Sequence, residues 1–126
     1  MHAGDAFLLL DKSVDDHLWI VVSDPIKDKN KVLIVSMTTA APHKEAVCLI
    51  QPGEHPWVRH DTCVSYDNAR LVSLQQLLAL KDTGMLDMQE PCSNLLLKRI
   101  RDAAGDSVDL PMEMAEILSE QELVDF

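Results

Sequence analysis

The chain has 126 residues, of which 47% are hydrophobic and only 4% aromatic, and its formal charge is -10. This length and composition suit a single domain over residues 1–126 with a core of Leu, Val, Ile and Met, and they exclude wholesale disorder. No apolar run approaches the roughly 20 residues that span a bilayer, and the first residues do not read as a signal peptide. We therefore expect a cytoplasmic protein without a membrane partner.

The acidic charge is concentrated at the end of the chain. All eleven Lys and Arg, with fourteen of the twenty-one acids, precede Gly105, and seven acids follow it. Those seven are Asp106, Asp109, Glu113, Glu116, Glu120, Glu122 and Asp125. Because phosphate affinity comes mainly from clustered Lys and Arg, this charge argues against non-specific nucleic-acid binding by the whole surface. A local nucleic-acid site remains compatible with it.

The three cysteines, Cys48, Cys63 and Cys92, are widely spaced and form no C-x-x-C pair. An odd number at such spacing favours buried, reduced thiols over disulfides or a zinc site. His55 and His60 lie near Cys63 in sequence, but their spacing matches no standard metal site. We expect neither a metal nor another cofactor.

The first half of the chain consists of short extended runs separated by turn signals. The runs are Ala6–Leu10, Leu18–Ser23, Val32–Met37, Ala46–Gln51, Cys63–Tyr66 and Ala69–Val72. Several are apolar throughout, which is typical of buried strands. Runs of four to six residues rich in Val, Ile and Leu predict a small barrel or a sandwich.

Near Ser73 the hydrophobic period changes from that of strands to that of helices. Ser73 and Gln76 have capping-box spacing and predict a short helix, and Asp87 and Glu90 repeat the signal before a longer one that stops at Gly105. A last amphipathic helix is predicted from the proline at position 111. The sequence thus divides into a barrel part, about 4–73, and a helical part, about 74–126.

Several short motifs follow one another in a specific order. They are Gly4-Asp5 before the first strand, the strand Trp19–Ser23, the strand end Val35–Thr39, the segment Cys63–Val72, and a capped amphipathic helix. Over about residues 4–104 this order resembles the MazF/PemK toxin family. The resemblance implies an SH3-like antiparallel barrel with helices packed outside it. It also implies a sequence-selective, metal-independent endoribonuclease that cleaves single-stranded RNA, pairs as a homodimer and binds a protein antitoxin.

The candidate catalytic residues are His17 and Thr38. Thr38 falls on the catalytic threonine of the family, but the family's Arg-Pro pair, which contributes a catalytic arginine, aligns with His17-Leu18, and Asn68 replaces a glutamine. Because imidazole titrates near neutral pH, His17 can take over an acid/base role while Thr38 donates to the phosphate. The plainer alternatives are a surface histidine at a strand start and a threonine hydroxyl bonded to nearby backbone.

The candidate RNA-binding residues lie mainly in one loop over 51–61. Two prolines and a glycine favour an exposed loop, which holds His55, Trp57, Arg59 and His60. An aromatic face stacks on unpaired bases while cations meet phosphates, and Arg70, on the family's arginine position, offers a forked contact. The alternative for Trp57 is a lid on the core.

A second hypothesis follows from the missing arginine. It is a catalytically inactive SH3-like barrel that binds a protein or an RNA partner. The two hypotheses differ in whether His17 replaces the arginine, which RNA degradation in EDTA would decide.

Overall fold

The computed structural model describes residues 1–10 and 17–124, and its centre is a curled antiparallel sheet. Its elements are β1 Ala6–Leu9, β2 Leu18–Val21, β3 Lys31–Thr39, β4 Leu49–Ile50, β5 Thr62–Ser73, α1 Leu74–Asp82, β6 Leu86–Gln89, α2 Asn94–Ala104 and α3 Met112–Glu120. The strand order is β4-β5-β3-β2-β1-β6, and neighbouring strands are antiparallel. The predicted mainly β fold with C-terminal helices is confirmed, in the form of a six-stranded half-barrel.

Apolar side chains on both faces of the sheet are buried, because successive residues of a strand point to opposite faces. On one face, Leu33, Val35 and Met37 of β3 join a large cluster that includes residues of α2 and α3. On the other face, Val32 and Ile34 join a smaller cluster with residues of β1, β2, α1 and β6. This explains why β3 reads as a continuous apolar run.

Strand β5 is longer than predicted and contains an irregularity. Ile34 pairs with Arg70 and Ser36 pairs with Ser65, so residues 66–69 stand opposite Val35 alone. The two predicted strands on either side of Asp67-Asn68 are therefore one bulged strand. Tyr66, the first residue of the bulge, is buried, and its hydroxyl donates to the carbonyl oxygen of Ile100 in α2 at 2.6 Å.

The predicted helix start at Asp87 and Glu90 is wrong. Residues 86–89 form β6, which pairs with β1 and satisfies backbone groups along that edge of the sheet. Helix α2 begins later, where the side chain of Ser93 accepts from the backbone N–H of Leu96 at 3.1 Å. The cap predicted at Ser73 is confirmed for α1.

Two further segments differ from the sequence-based boundaries. The predicted strand Ala46–Gln51 is reduced to β4, and β6 lies within the part predicted to be helical. Helix α3 begins at Met112, directly after Pro111, as predicted. Asp125, counted among the acids of the chain end, lies outside the described residues.

The acidic end of the chain packs on the sheet. Leu118 of α3 and Leu110 before it are buried in the larger cluster, and Met114 packs against it. The side chain of Gln121, just after α3, accepts from the backbone N–H of Asp24 in the β2–β3 loop at 2.8 Å. This segment therefore has an apolar face that contributes to the core and an acidic face turned to solvent.

The three cysteines are buried and free, as predicted. Burial raises the pKa of the Cys48 thiol and raises the pKa of Cys92 to about 12, so both are neutral near pH 7.

Among residues 1–10 and 17–124, no helix is both long and apolar enough to cross a bilayer.

A pair of leucine substitutions tests the packing of α3. Leu118 is 1% exposed whereas Leu95, in α2, is 74% exposed. We expect Leu118→Ala to lower the free energy of unfolding by about 2–5 kcal/mol, because it leaves a cavity, and Leu95→Ala to change it by less than about 0.5 kcal/mol. Urea denaturation measures both. Equal effects would mean that α3 does not pack on the sheet.

Candidate functional site

A polar pocket of about 370 Å³ opens where β2 begins and β3 ends. Its walls come from the residue before β2, the end of β3 and the segment after it, the start and bulge of β5, and the turn before α3. The lining residues are His17, Thr38, His43, Lys44, Glu45, Cys63, Val64, Ser65, Asp67, Asn68 and Asp109. The two predicted catalytic residues, His17 and Thr38, thus line one pocket.

Antiparallel pairing explains why His17 and Thr38 meet. Leu18 pairs with Met37, so the residue before β2 lies beside the end of β3. The Nδ1 atom of His17 lies 3.2 Å from the carbonyl oxygen of Met37. Since a carbonyl oxygen only accepts, Nδ1 must carry the proton of this bond, which leaves Nε2 of the neutral ring unprotonated. Such a nitrogen is suited to accept a proton.

Lys44 supplies a positive charge next to Thr38. Its Nζ donates to the hydroxyl oxygen of Thr38 at 3.0 Å and to the carbonyl oxygen of Thr39 at 2.9 Å. An ammonium has three N–H donors, so one remains for another acceptor. Because Thr38 accepts from Lys44, its own hydroxyl hydrogen is available to donate. Among the described residues, no carboxylate lies within salt-bridge distance of Lys44.

The bulge of β5 forms the opposite wall. The hydroxyl of Ser65 donates to Asp67 at 2.5 Å and accepts from the side-chain amide of Asn68 at 3.2 Å. Cys63 pairs with Thr38 across the sheet. Burial raises the pKa of its thiol although the positive charge of Lys44 opposes the shift, so the thiol is neutral near pH 7 and a poor nucleophile.

The turn before α3 closes the pocket on its acidic side. Glu45 accepts from the hydroxyl of Ser107 at 2.5 Å and from the backbone N–H of Val108 at 2.9 Å. The pKa of Asp109 in this turn is raised, first by partial desolvation and then by the negative charges of Glu45 and Asp67. The pocket therefore has a cationic side at Lys44 and an acidic side at Asp109.

The loop over 51–61 is exposed at most positions, but two of its predicted RNA-binding residues are not. His55 is 4% exposed: its Nε2 lies 2.6 Å from the carbonyl oxygen of Glu90, and its Nδ1 accepts from the backbone N–H of Trp57 at 3.1 Å. Trp57 is half-buried and packs against the larger cluster. Both ring nitrogens of His55 have backbone partners, so neither is free to contact RNA. Trp57 has the position expected of a lid.

The other three predicted RNA-binding residues lie outside the pocket. Arg59 is exposed. His60 contacts the hydroxyl of Thr39 through Nε2 at 2.9 Å, which places it beside the contact between Lys44 and Thr39. The guanidinium of Arg70 lies 5.3 Å from the ring centroid of Trp19, a cation–π contact.

Sequence reasoning missed His43 and Lys44. Both stand shortly after Thr38, in the sequence Ala40-Ala41-Pro42-His43-Lys44. The signal was a histidine and a lysine just after a strand that ends in two threonines. It pointed to no known motif, because the contact depends on how the chain turns back after β3.

The described residues bring together no group of three or more His, Cys, Asp and Glu side chains that is arranged to hold a metal ion. The residues of the pocket that can act on a substrate are instead hydrogen-bond donors, acceptors and imidazoles.

A pair of histidine substitutions tests the structural role of His55. We expect His55→Ala to lower the free energy of unfolding by about 1–3 kcal/mol, because the variant removes a buried side chain together with its hydrogen bonds to the carbonyl oxygen of Glu90 and the backbone N–H of Trp57. His60→Ala, at an exposed position, should cost less than about 1 kcal/mol. Thermal unfolding followed by circular dichroism compares them. If the two variants are equally stable, the hydrogen bonds of His55 contribute little.

The chain is similar in fold to a solved structure described as an endoribonuclease in complex with its cognate antitoxin from a mycobacterial species. The match has a TM-score of 0.57 at 16% sequence identity and covers 88% of this chain and 97% of the other. No family model matches the chain, and no curated protein matches it. The similarity establishes a shared fold over nearly the whole of the neighbour.

Proposed function

We propose that this protein is a toxin-like, metal-independent endoribonuclease that cleaves single-stranded RNA. The observation that carries the proposal is the pocket in which His17 lies with Thr38 and Lys44. The fold similarity to an endoribonuclease supports it. So does the resemblance of the sequence to the MazF/PemK family, on whose catalytic threonine Thr38 falls.

In the proposed reaction the RNA supplies its own nucleophile. The Nε2 atom of His17 takes the proton of a 2′-hydroxyl, and the 2′-oxygen then attacks the adjacent phosphorus. The bond from phosphorus to the 5′-oxygen breaks, and His43 in its imidazolium form protonates that oxygen. The products are a 2′,3′-cyclic phosphate and a 5′-hydroxyl, so atoms and charge balance without a metal ion.

Thr38 and Lys44 act on the charge that grows on the phosphate oxygens. Thr38 and Lys44 both line the pocket and are hydrogen-bonded to each other, and each has an N–H or O–H left to donate. Donors fixed before the reaction stabilise developing charge without reorganisation, which is why such groups contribute strongly to rate. Lys44 thus supplies the charge that the family arginine would otherwise provide.

The RNA-binding surface extends beyond the pocket in this proposal. Arg59 and His60 lie toward the end of the 51–61 loop, and His60 contacts Thr39, so both can meet neighbouring phosphates. Arg70 is exposed above the buried ring of Trp19, and its guanidinium can meet a phosphate. Sequence selectivity would follow from contacts to unpaired bases along this surface.

The family resemblance also implies two partners, a second copy of the chain and a protein antitoxin. The fold neighbour is described in complex with its cognate antitoxin, which supports the second. We propose both partners for this protein in the cytoplasm. Light scattering of the purified protein measures its mass in solution and so tests for the homodimer. We expect twice the chain mass of 14.1 kDa.

Substitutions in the pocket test the proposed catalysis. We expect His17→Ala and Thr38→Ala each to slow cleavage of a long RNA by about 10²-fold or more, and Lys44→Ala by about 10²- to 10³-fold. The assay contains EDTA and follows single-turnover cleavage. Melting temperatures of the variants should stay near that of the wild type, because these side chains line a pocket and are not part of the buried core.

Lys98→Ala is the matched control for Lys44→Ala. Lys98 is an exposed lysine of α2 that pairs with Asp102 at 2.6 Å and does not line the pocket. It removes the same charge from the chain and should leave the cleavage rate within about twofold. Equal slowing by both lysine variants would point to a general charge effect, and unchanged rates in all three pocket variants would contradict the proposed site.

A further inference from the structure

The acidic turn before α3 is part of the same pocket as the proposed catalytic residues. Ser107 organises it: its hydroxyl oxygen accepts from the backbone N–H groups of Asp109 and Leu110, both at 3.1 Å. Glu45 holds the turn from outside through Ser107 and Val108. The carboxylate of Asp109 is thereby kept at the pocket although 62 residues separate Glu45 from Ser107.

Adjacent residues connect the two sides of the pocket. Lys44 turns toward Thr38, whereas Glu45 turns toward the Ser107–Asp109 turn. A phosphate is attracted to Lys44 and repelled by Asp109. RNA bound with its scissile phosphate at Lys44 must therefore present to Asp109 a group that donates hydrogen bonds.

The free hydrogen-bonding capacity on the acidic side consists of acceptors. No protein donor bonds the carboxylate oxygens of Asp109 within the described residues, and Asp67 uses one oxygen for Ser65. Asp109 is exposed, and its pKa is raised, first by partial desolvation and then by the negative charges of Glu45 and Asp67. Paired N–H donors would offset the repulsion from those two carboxylates.

Guanine fits these acceptors best among the four bases. Its Watson–Crick edge has two adjacent donors, N1–H and the N2 amine, which match the two oxygens of a carboxylate as parallel hydrogen bonds. Cytosine and adenine each offer one amine next to an acceptor. Uracil has one donor between two carbonyl oxygens, which a carboxylate repels.

From this geometry we infer that Asp109 is a specificity-determining residue that reads an unpaired guanine next to the scissile phosphate, and that Glu45 is its positioning residue. The inference rests on the proposed function, because it takes the phosphate to lie at Lys44. Guanine recognition would give the acidic turn a role in substrate choice. The negative charge of the turn alone would only weaken RNA binding.

Binding of uncleavable oligonucleotides tests the assignment. The probes are 2′-O-methyl hexamers of uridine that carry one guanosine, inosine or adenosine, and inosine differs from guanosine by lacking the N2 amine. We expect the full-length protein to bind the guanosine hexamer about tenfold more tightly than the inosine hexamer, the effect of one hydrogen bond to a charged group. Asp109→Asn should reduce this ratio to near one.

Asp106→Asn is the matched control. Asp106 is an exposed acid near the same turn that does not line the pocket. Both variants remove one negative charge and should bind the adenosine hexamer somewhat more tightly, but only Asp109→Asn should lose the preference for guanosine. Glu45→Ala should lower the ratio as well, with the melting temperature reporting any effect on the fold.

The outcomes separate this inference from the proposed function. Cleavage of long RNA with no guanosine preference in the hexamers overturns the inference alone, as does a preference that Asp109→Asn retains. A guanosine preference that Asp109→Asn removes, in a protein that cleaves no RNA, supports guanine recognition by Asp109 and overturns the nuclease proposal. An arginine-containing peptide presents the same paired donors. The protein could bind such a peptide through Asp109 and bind none of the hexamers. That result would assign the pocket to a protein partner and overturn both the guanine inference and the nuclease proposal.

Discussion

The pairing of β3 with β5 is the interaction on which the rest of the structure depends. It joins the two longest strands, and it continues on both sides of the bulge at residues 66–69. On one side of the bulge, Thr38 is aligned with Cys63, which sets the floor of the pocket. On the other side, Arg70 is aligned with Ile34 and reaches Trp19. In a regular ladder without the bulge, the register of β5 against β3 would be the same along its whole length.

The bulge also connects the sheet to the helices. Tyr66 is the largest fully buried side chain, and its hydroxyl satisfies a carbonyl oxygen in α2. Burial raises the pKa of this hydroxyl, so it keeps its proton and remains a donor near neutral pH. The next two residues, Asp67 and Asn68, are exposed and line the pocket. A single irregularity thus anchors α2 and shapes the proposed site.

How much the sequence predicts depends on whether the relevant contacts are local. The apolar runs of β2 and β3, the cap at Ser73 and the helix end at Gly105 are local signals, and the structure confirms them. Strand β6 was missed because its four residues become a strand only by pairing with β1. The capping signal at Asp87 was weaker than that non-local pairing.

The candidate site shows the same division. His17 and Thr38 were predicted from motif positions, and the pairing of β2 with β3 brings them into one pocket. Lys44, Glu45 and Asp109 were not predicted, because their contacts depend on how the segment after β3 meets the turn before α3. His55 was selected for its chemistry, yet burial uses both of its ring nitrogens for backbone hydrogen bonds.

The central claim is that the pocket at His17, Thr38 and Lys44 cuts RNA by activating the 2′-hydroxyl without a metal ion. The most direct measurement is the chemistry of the product ends, determined by mass spectrometry after incubation of a defined RNA with the protein in EDTA. The account predicts fragments with a 2′,3′-cyclic phosphate and a 5′-hydroxyl. Fragments with a 3′-hydroxyl and a 5′-phosphate, which require a nucleophile other than the 2′-hydroxyl, or an RNA that stays intact, would contradict it.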